Sequence, residues 1–331
     1  MAGAARLTFG FALALAALLL PGAASAADLL LGPESGFTIP VELGGATLRL
    51  RVDPAASGLV ILNPDAVARA RLTPEMMRGR PGIPGQYIRP SYARIGPVAL
   101  AGRTRAVTAR LAGQALRIQA IWFDRAVIDG ADGLISPALL PYDSITFRLG
   151  AARAGESAAS LALDFVTGLG LYFPYPLEGR ALPVQFSLWK PSSIATAAAG
   201  ALLAQARGGA WAGDPGRRAV SFGILRPVRP MQLRRPLDLG FARVGLFLVR
   251  TGDYGGGLAL PAETEADPDE IVVTAARAAQ VARLNLVLGA DQFAACSSLR
   301  YQRAERRLTL ICPGATPAPQ RPRERFRGPP D

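Results

Sequence analysis

The residue best placed to do chemistry is Asp53. It ends the apolar strand pattern Leu48-Arg-Leu-Arg-Val52 and opens a turn of small residues, Pro54-Ala55-Ala56-Ser57, before a second apolar run, Leu59-Val-Ile-Leu62. An acid at such a turn is presented to a cleft while the flanking strands fix its geometry. One carboxylate alone can hold or release a proton. Two carboxylates a few Å apart share one, so that one deprotonates water while the other protonates a carbonyl. Composition removes several other chemistries. The 331 residues include no histidine, which excludes His-dependent triads and His metal sites, and Lys190 is the only lysine. No Gly-rich loop follows a strand and opens a helix, so no nucleotide site is supported, and no cofactor is expected. Ser187-Leu-Trp-Lys190 has the Ser-x-x-Lys spacing of acyl-transfer sites, but that pairing needs a helical turn, and Pro191 disfavours helix at Lys190.

The Asp53 turn resembles the active-site turn of retropepsin-like and pepsin-like aspartic proteases, Asp-Thr/Ser-Gly-Ala/Ser after a hydrophobic strand. Pro54 and Ala55 stand here where that family has Thr/Ser and Gly. The resemblance implies a mainly β chain of two similar barrel lobes with short helices, at 27–160 and 161–312, each supplying one acid. Internal repetition agrees. Asp132-Gly-Leu-Ile-Ser-Pro-Ala-Leu-Leu140 and then Ser144–Leu149 match Leu286-Val-Leu-Gly-Ala-Asp-Gln-Phe293 and then Ser298–Tyr301. Phe37 to Pro64 reads as strand, turn, strand and helix start, with Asn63 as cap and Pro64 at the first helical position. Leu182 to Leu188, a turn, and a small-residue helix over 195–206 repeat that plan, and Tyr92–Leu100 is matched with Leu237–Leu246.

By this correspondence the second-lobe turn is Lys190-Pro191-Ser192-Ser193, which brings no acid; the cation Lys190 would hold Asp53 ionised. Pro54 offers neither the family's hydroxyl nor an N–H, and Ala55 obstructs a close backbone approach. Ser57 is placed to hydrogen-bond Asp53. Tyr87 and Tyr92 are candidates for a flap over the cleft, in a stretch marked as a hairpin tip by Gly82, Pro84 and Gly85. The expected function is a protease-like protein without peptidase activity, with Asp53 as a turn cap and a cleft that binds an extended peptide by strand addition. The alternative is an active aspartic endopeptidase that pairs Asp53 with another acid, either Asp253 or the Asp53 of a dimer mate. A third class is an envelope assembly protein that uses its basic surface.

The compartment follows from the ends of the chain and from its cysteines. Met1 to Ala26 has a basic start, an apolar core from Phe9 to Leu20 and Ala24-Ser25-Ala26, the pattern of a cleaved export signal, and periplasmic location is expected. No later segment is long and apolar enough for a transmembrane helix. Cys296 and Cys312 flank two short strands joined by a charged turn, so one disulfide is expected in an oxidising compartment. The net charge of +12 comes from arginine enrichment, without the aromatic–basic interleaving of nucleic-acid binders. Residues 313–331, rich in Pro and Arg, lack apolar periodicity and read as disordered.

Overall fold

The computed structural model describes residues 28–72, 88–261 and 282–316. The export-signal pattern, Tyr87, the acidic stretch over 263–270 and nearly all of the Pro/Arg-rich tail lie outside these residues.

The first lobe runs through β1 (Asp28–Leu31), β2 (Thr38–Leu43), β3 (Ala46–Val52), β4 (Val60–Leu62) and α1 (Pro64–Arg69). It continues with β5 (Arg89–Ile95), β6 (Val98–Leu111), β7 (Gln114–Phe123), β8 (Gly133–Ile135), β9 (Ser144–Arg148) and β10 (Glu156–Ala162). The second lobe holds β11 (Asp164–Val166), β12 (Gly170–Leu177), β13 (Arg180–Phe186), β14 (Ile194–Ala195), α2 (Ala197–Arg207) and β15 (Gly209–Trp211). It ends with β16 (Gly216–Ser221), β17 (Ile224–Asp238), β18 (Arg243–Arg250), β19 (Leu286–Leu288), β20 (Ser298–Gln302) and β21 (Arg307–Pro313). The protein is therefore mainly β, and the expected lobe boundary at 160 falls inside β10.

The two lobes share one strand plan. In the first, β3 pairs β8 in parallel, β8 pairs β4 antiparallel, and β4 pairs β7 in parallel. In the second, β13, β19, β14 and β18 repeat that sequence of pairings. Alternation drives the outer strands: Ile39, Val41 and Leu43 of β2 and Leu48, Leu50 and Val52 of β3 are buried, and the residues between them face outward or toward the rim. The central strands β8 and β19 are short and apolar because neighbours cover them. Gly133 allows a close approach of β8 to β4, since a Cβ there would lie 2.2 Å from the Ile61 carbonyl oxygen. A contact between Glu42 of β2 and Arg110 of β6 closes the first lobe into a six-stranded barrel. Among the described residues, β12 and β17 do not pair, and the second sheet stays open.

A third sheet, in the order β1-β9-β20-β21-β10, joins the lobes. Here β9 of the first lobe pairs β20 of the second, and β10 pairs β21. Cys296 and Cys312 are disulfide-bonded across the β20–β21 hairpin.

Three local expectations are corrected. Asn63 does not cap α1 with its side chain; its amide donates to the carbonyls of Ile128 and Ala131, and its Oδ1 accepts from the Val127 amide. Residues 237–246 span the β17–β18 turn, whose counterpart is the β6–β7 turn rather than residues 92–100. The second-lobe partner of the β5–β6 hairpin is β16–β17. The second helix begins at Ala197, two residues later than expected, because Thr196 caps it by accepting from the Ala199 amide.

Candidate functional site between the lobes

Strand β3 delivers Asp53 to the junction of the lobes. The parallel register sets Val52 beside Ile135, and the Asp53 amide donates to the Ile135 carbonyl at 3.1 Å. In the second lobe Phe186 lies beside Leu288, and the Ser187 amide donates to the Leu288 carbonyl at 2.8 Å. Ser187 therefore occupies the position equivalent to Asp53, three residues before the 190–193 turn singled out in the sequence.

The two equivalent residues face each other. The Ser187 hydroxyl donates to Asp53 Oδ2 at 2.9 Å, and the Leu188 amide donates to Asp53 Oδ1 at 3.0 Å. Pro54, which stands where Leu188 does in the repeat, has no N–H to return to Ser187, so the arrangement is one-sided. A third tie comes from Gln185, whose amide donates to the Ala55 carbonyl at 3.3 Å and to the Leu169 carbonyl at 2.6 Å. Ser57 turns away from Asp53: its hydroxyl donates to the Leu59 carbonyl and accepts from the Leu59 amide.

Asp53 is 1 % exposed and Ser187 is fully buried. Burial pushes the Asp53 carboxyl up to about 6, against the Leu188 amide, the Ser187 hydroxyl, the Lys190 charge and the Ala55 amide, which all favour the anion. Burial also lowers Lys190 to about 8, with Asp53 opposing the shift and Arg250 adding to it. The Lys190 ammonium donates to the Val220 carbonyl and lies 4.5 Å from the Trp189 ring centroid. Residues 187–190 are not helical, so the Ser-x-x-Lys pattern does not stack its hydroxyl on its amine.

The remaining sequence candidates fall elsewhere. Ser193 is buried, its amide and hydroxyl both donate to the Asp291 carboxylate, and its Oγ accepts from the Gly289 amide. Gly289 is required there, because a Cβ would come within 2.5 Å of the Ser192 carbonyl carbon. Ser192 lends its backbone to that contact. Asp253 does not face Asp53; it pairs with Arg226 at 3.0 Å and with Arg250. Tyr92 lies on β5 and is 77 % exposed.

What fills the cleft is an apolar cluster drawn from both lobes. Ala56, Ile95, Leu100, Ile121, Phe123 and Leu134 of the first lobe meet Val220, Phe222 and Ile224 at the tip of the β16–β17 hairpin. Phe222 meets Phe123 edge to face, with ring centroids 4.8 Å apart. Two surface hollows, one beside Gly209 and Leu258 and one beside Asn63 and Asp129, are not lined by Asp53.

Chemically, Asp53 faces a hydroxyl rather than a second acid. A hydroxyl holds its own proton throughout the carboxylate range and cannot share one with Asp53 as a second carboxyl would. Sequence reasoning missed Ser187 as the counterpart of Asp53, and Gln185 and Phe222 altogether. Aligning the two strand ends, Val52-Asp53 with Phe186-Ser187, would have found the first.

No protein-family model matches the sequence, and no curated protein does. Among solved structures, the chain is similar to the crystal structure of the aspartic proteinase from Irpex lacteus. The identity is 11 % and the TM-score 0.36, over 84 % of this chain and 94 % of that one.

Proposed function

We propose that this chain is an exported binding protein on a two-lobed, aspartic-protease-like scaffold, without peptidase activity. The observation that carries the reading is Ser187 at the position equivalent to Asp53, 2.9 Å from its carboxylate. The aspartic-type attack of water on a peptide carbonyl needs two acids with one proton between them, and among the described residues this site offers one. The ligand class is an extended polypeptide bound by strand addition. That choice is supported by the strand edges beside the cleft: among the described residues β5 pairs only β6, and β16 pairs only β17. Export is supported by the pattern of residues 1–26 and by the disulfide.

The test is to incubate the oxidised protein with a reduced, alkylated, unfolded polypeptide at intervals from about pH 3 to pH 7, the range around ordinary carboxylate pKa values. Mass spectrometry should find the polypeptide intact, and gel filtration should find it retained by the protein. Fragments that disappear with pepstatin, and in Asp53→Asn, would establish the endopeptidase reading instead.

A further inference from the structure

Two hairpins, one from each lobe, bring apolar residues into the cluster that also holds Ala56, three residues after Asp53, and their tips are built differently. The β16–β17 tip is the two-residue turn Phe222–Gly223, with φ of +53° and +65°, between the paired residues Ser221 and Ile224. This geometry matches the twist of the strands and projects a tight, regular tip. It carries Val220, Phe222 and Ile224 into the apolar cluster between the lobes, and the Val220 carbonyl accepts from Lys190. The β5–β6 tip is Gly96–Pro97, between the paired residues Ile95 and Val98. Ile95 and Leu100 join the same cluster from the other side.

The first-lobe tip also touches a buried ionic cluster of the second lobe. Arg226, on β17 just beyond Ile224, donates to Asp253 through Nε at 3.3 Å and Nη2 at 3.0 Å, and Nη2 also donates to the Gly252 carbonyl at 2.7 Å. Arg250 of β18 pairs with the other Asp253 oxygen. The side chains of Arg226, Asp253 and Arg250 are 10, 7 and 19 % exposed. Gly96 lies directly on this cluster: a Cβ would stand 2.2 Å from Asp253 Oδ1 and 2.7 Å from Arg226 Nη2. Its φ of +59° is a second reason for glycine. Because Arg226 lies on β17, four residues after Phe222 at the turn, the cluster couples the seat of one hairpin to the position of the other.

We propose that the hairpin tips form a latch that keeps the inter-lobe cleft shut, with the Gly96 backbone seated on Arg226–Asp253–Arg250 and the Phe222 tip plugging the apolar space over Asp53. Unseating Gly96 frees both hairpins together, although they belong to different lobes. The latch needs no ligand. It sets whether anything reaches the floor of the cleft, and it explains why Asp53 is buried in a protein whose strand plan brings two turns together at a cleft.

The test is hydrogen exchange by mass spectrometry on the full oxidised chain, comparing wild type with Gly96→Ala, Asp253→Asn and Gly113→Ala. Gly113, at the far turn of β6, also has a positive φ, +78°, but a Cβ there meets nothing within 4 Å. It therefore imposes the same kind of backbone strain without touching the cluster. Gly96→Ala and Asp253→Asn should each speed exchange about tenfold or more in both 93–101 and 216–228, with 133–135 and 286–288 unchanged. Gly113→Ala should leave 216–228 at the wild-type rate. Faster exchange confined to 93–101 in Gly96→Ala would overturn the latch, because turn strain alone would then account for it. Unchanged exchange at 216–228 in Asp253→Asn would overturn it too, as would an equal rise across the whole molecule.

Discussion

Replacing Asp53 by Asn should stabilise the protein at neutral pH. The carboxyl has an ordinary value of 3.8 in the unfolded chain and about 6 in the folded one, with burial as the main cause. The folded state therefore keeps the proton to higher pH than the unfolded state. The resulting penalty is absent below about pH 4, grows between about pH 4 and pH 6, and is complete above that. At 1.36 kcal/mol per pKa unit, a rise of about two units corresponds to a penalty of about 3 kcal/mol. Asn keeps the acceptor for the Leu188 amide, and its NH2 can donate to Ser187 Oγ, so the shape of the site survives. Part of the gain is offset, because Lys190 loses the anion that favours its charged form. A net gain of about 1–3 kcal/mol at pH 7 is expected, shrinking toward zero at pH 4. Urea unfolding of the oxidised protein at pH 4, 5, 6 and 7 measures it. A variant less stable than wild type at pH 7, by the same margin as at pH 4, would refute the assignment of Asp53 as a buried, penalised anion.

Ser187→Asp should have the opposite pH signature. Two facing carboxyls cannot both ionise cheaply, so one is held protonated, and the variant should lose stability as pH rises from about 4 to 7; a flat profile relative to wild type would contradict the facing geometry. Reducing the Cys296–Cys312 bond should cost on the order of 3 kcal/mol in the chain-entropy model, read as a lower urea midpoint, and an unchanged midpoint would show that the hairpin holds without it. The mature N-terminus should be Ala27, read by intact-mass measurement of protein from its native host; a Met1 start in a cytosolic fraction would refute export.

Much of the strand plan was legible because it rests on local signals. The alternation in Ile39, Val41 and Leu43 and the apolar run after Asp53 fix strands without reference to partners. The disulfide followed from the strand pattern between its cysteines. Register was harder to read. Alignment by turn composition placed the Asp53 counterpart at Lys190-Pro191-Ser192-Ser193, whereas pairing with β19 places it at Ser187, and only the position of Phe186 beside Leu288 reveals that. The hairpin match failed for a related reason. Residues 92–100 and 237–246 look alike as strand–turn–strand, but topology assigns them to different hairpins. Long-range contacts left no local trace at all. Neither Asn63 reaching the 127–131 loop nor Gly96 resting on Asp253 can be read from nearby residues, since each depends on segments more than 60 residues apart. Asp253 looked like a free acid after a strand because its two arginines lie on other parts of the chain or on the strand before it.

Asp53 has a hydroxyl across the cleft and, among the described residues, no second acid. The most direct test is a carbon-13 NMR titration of the Asp53 carboxyl between about pH 3 and pH 8, spanning the ordinary carboxylate value and the raised one. One step with a midpoint of about 6 is the predicted result. Two well-separated steps, the first below the ordinary carboxylate value, would show a proton shared with another carboxyl and would contradict the account.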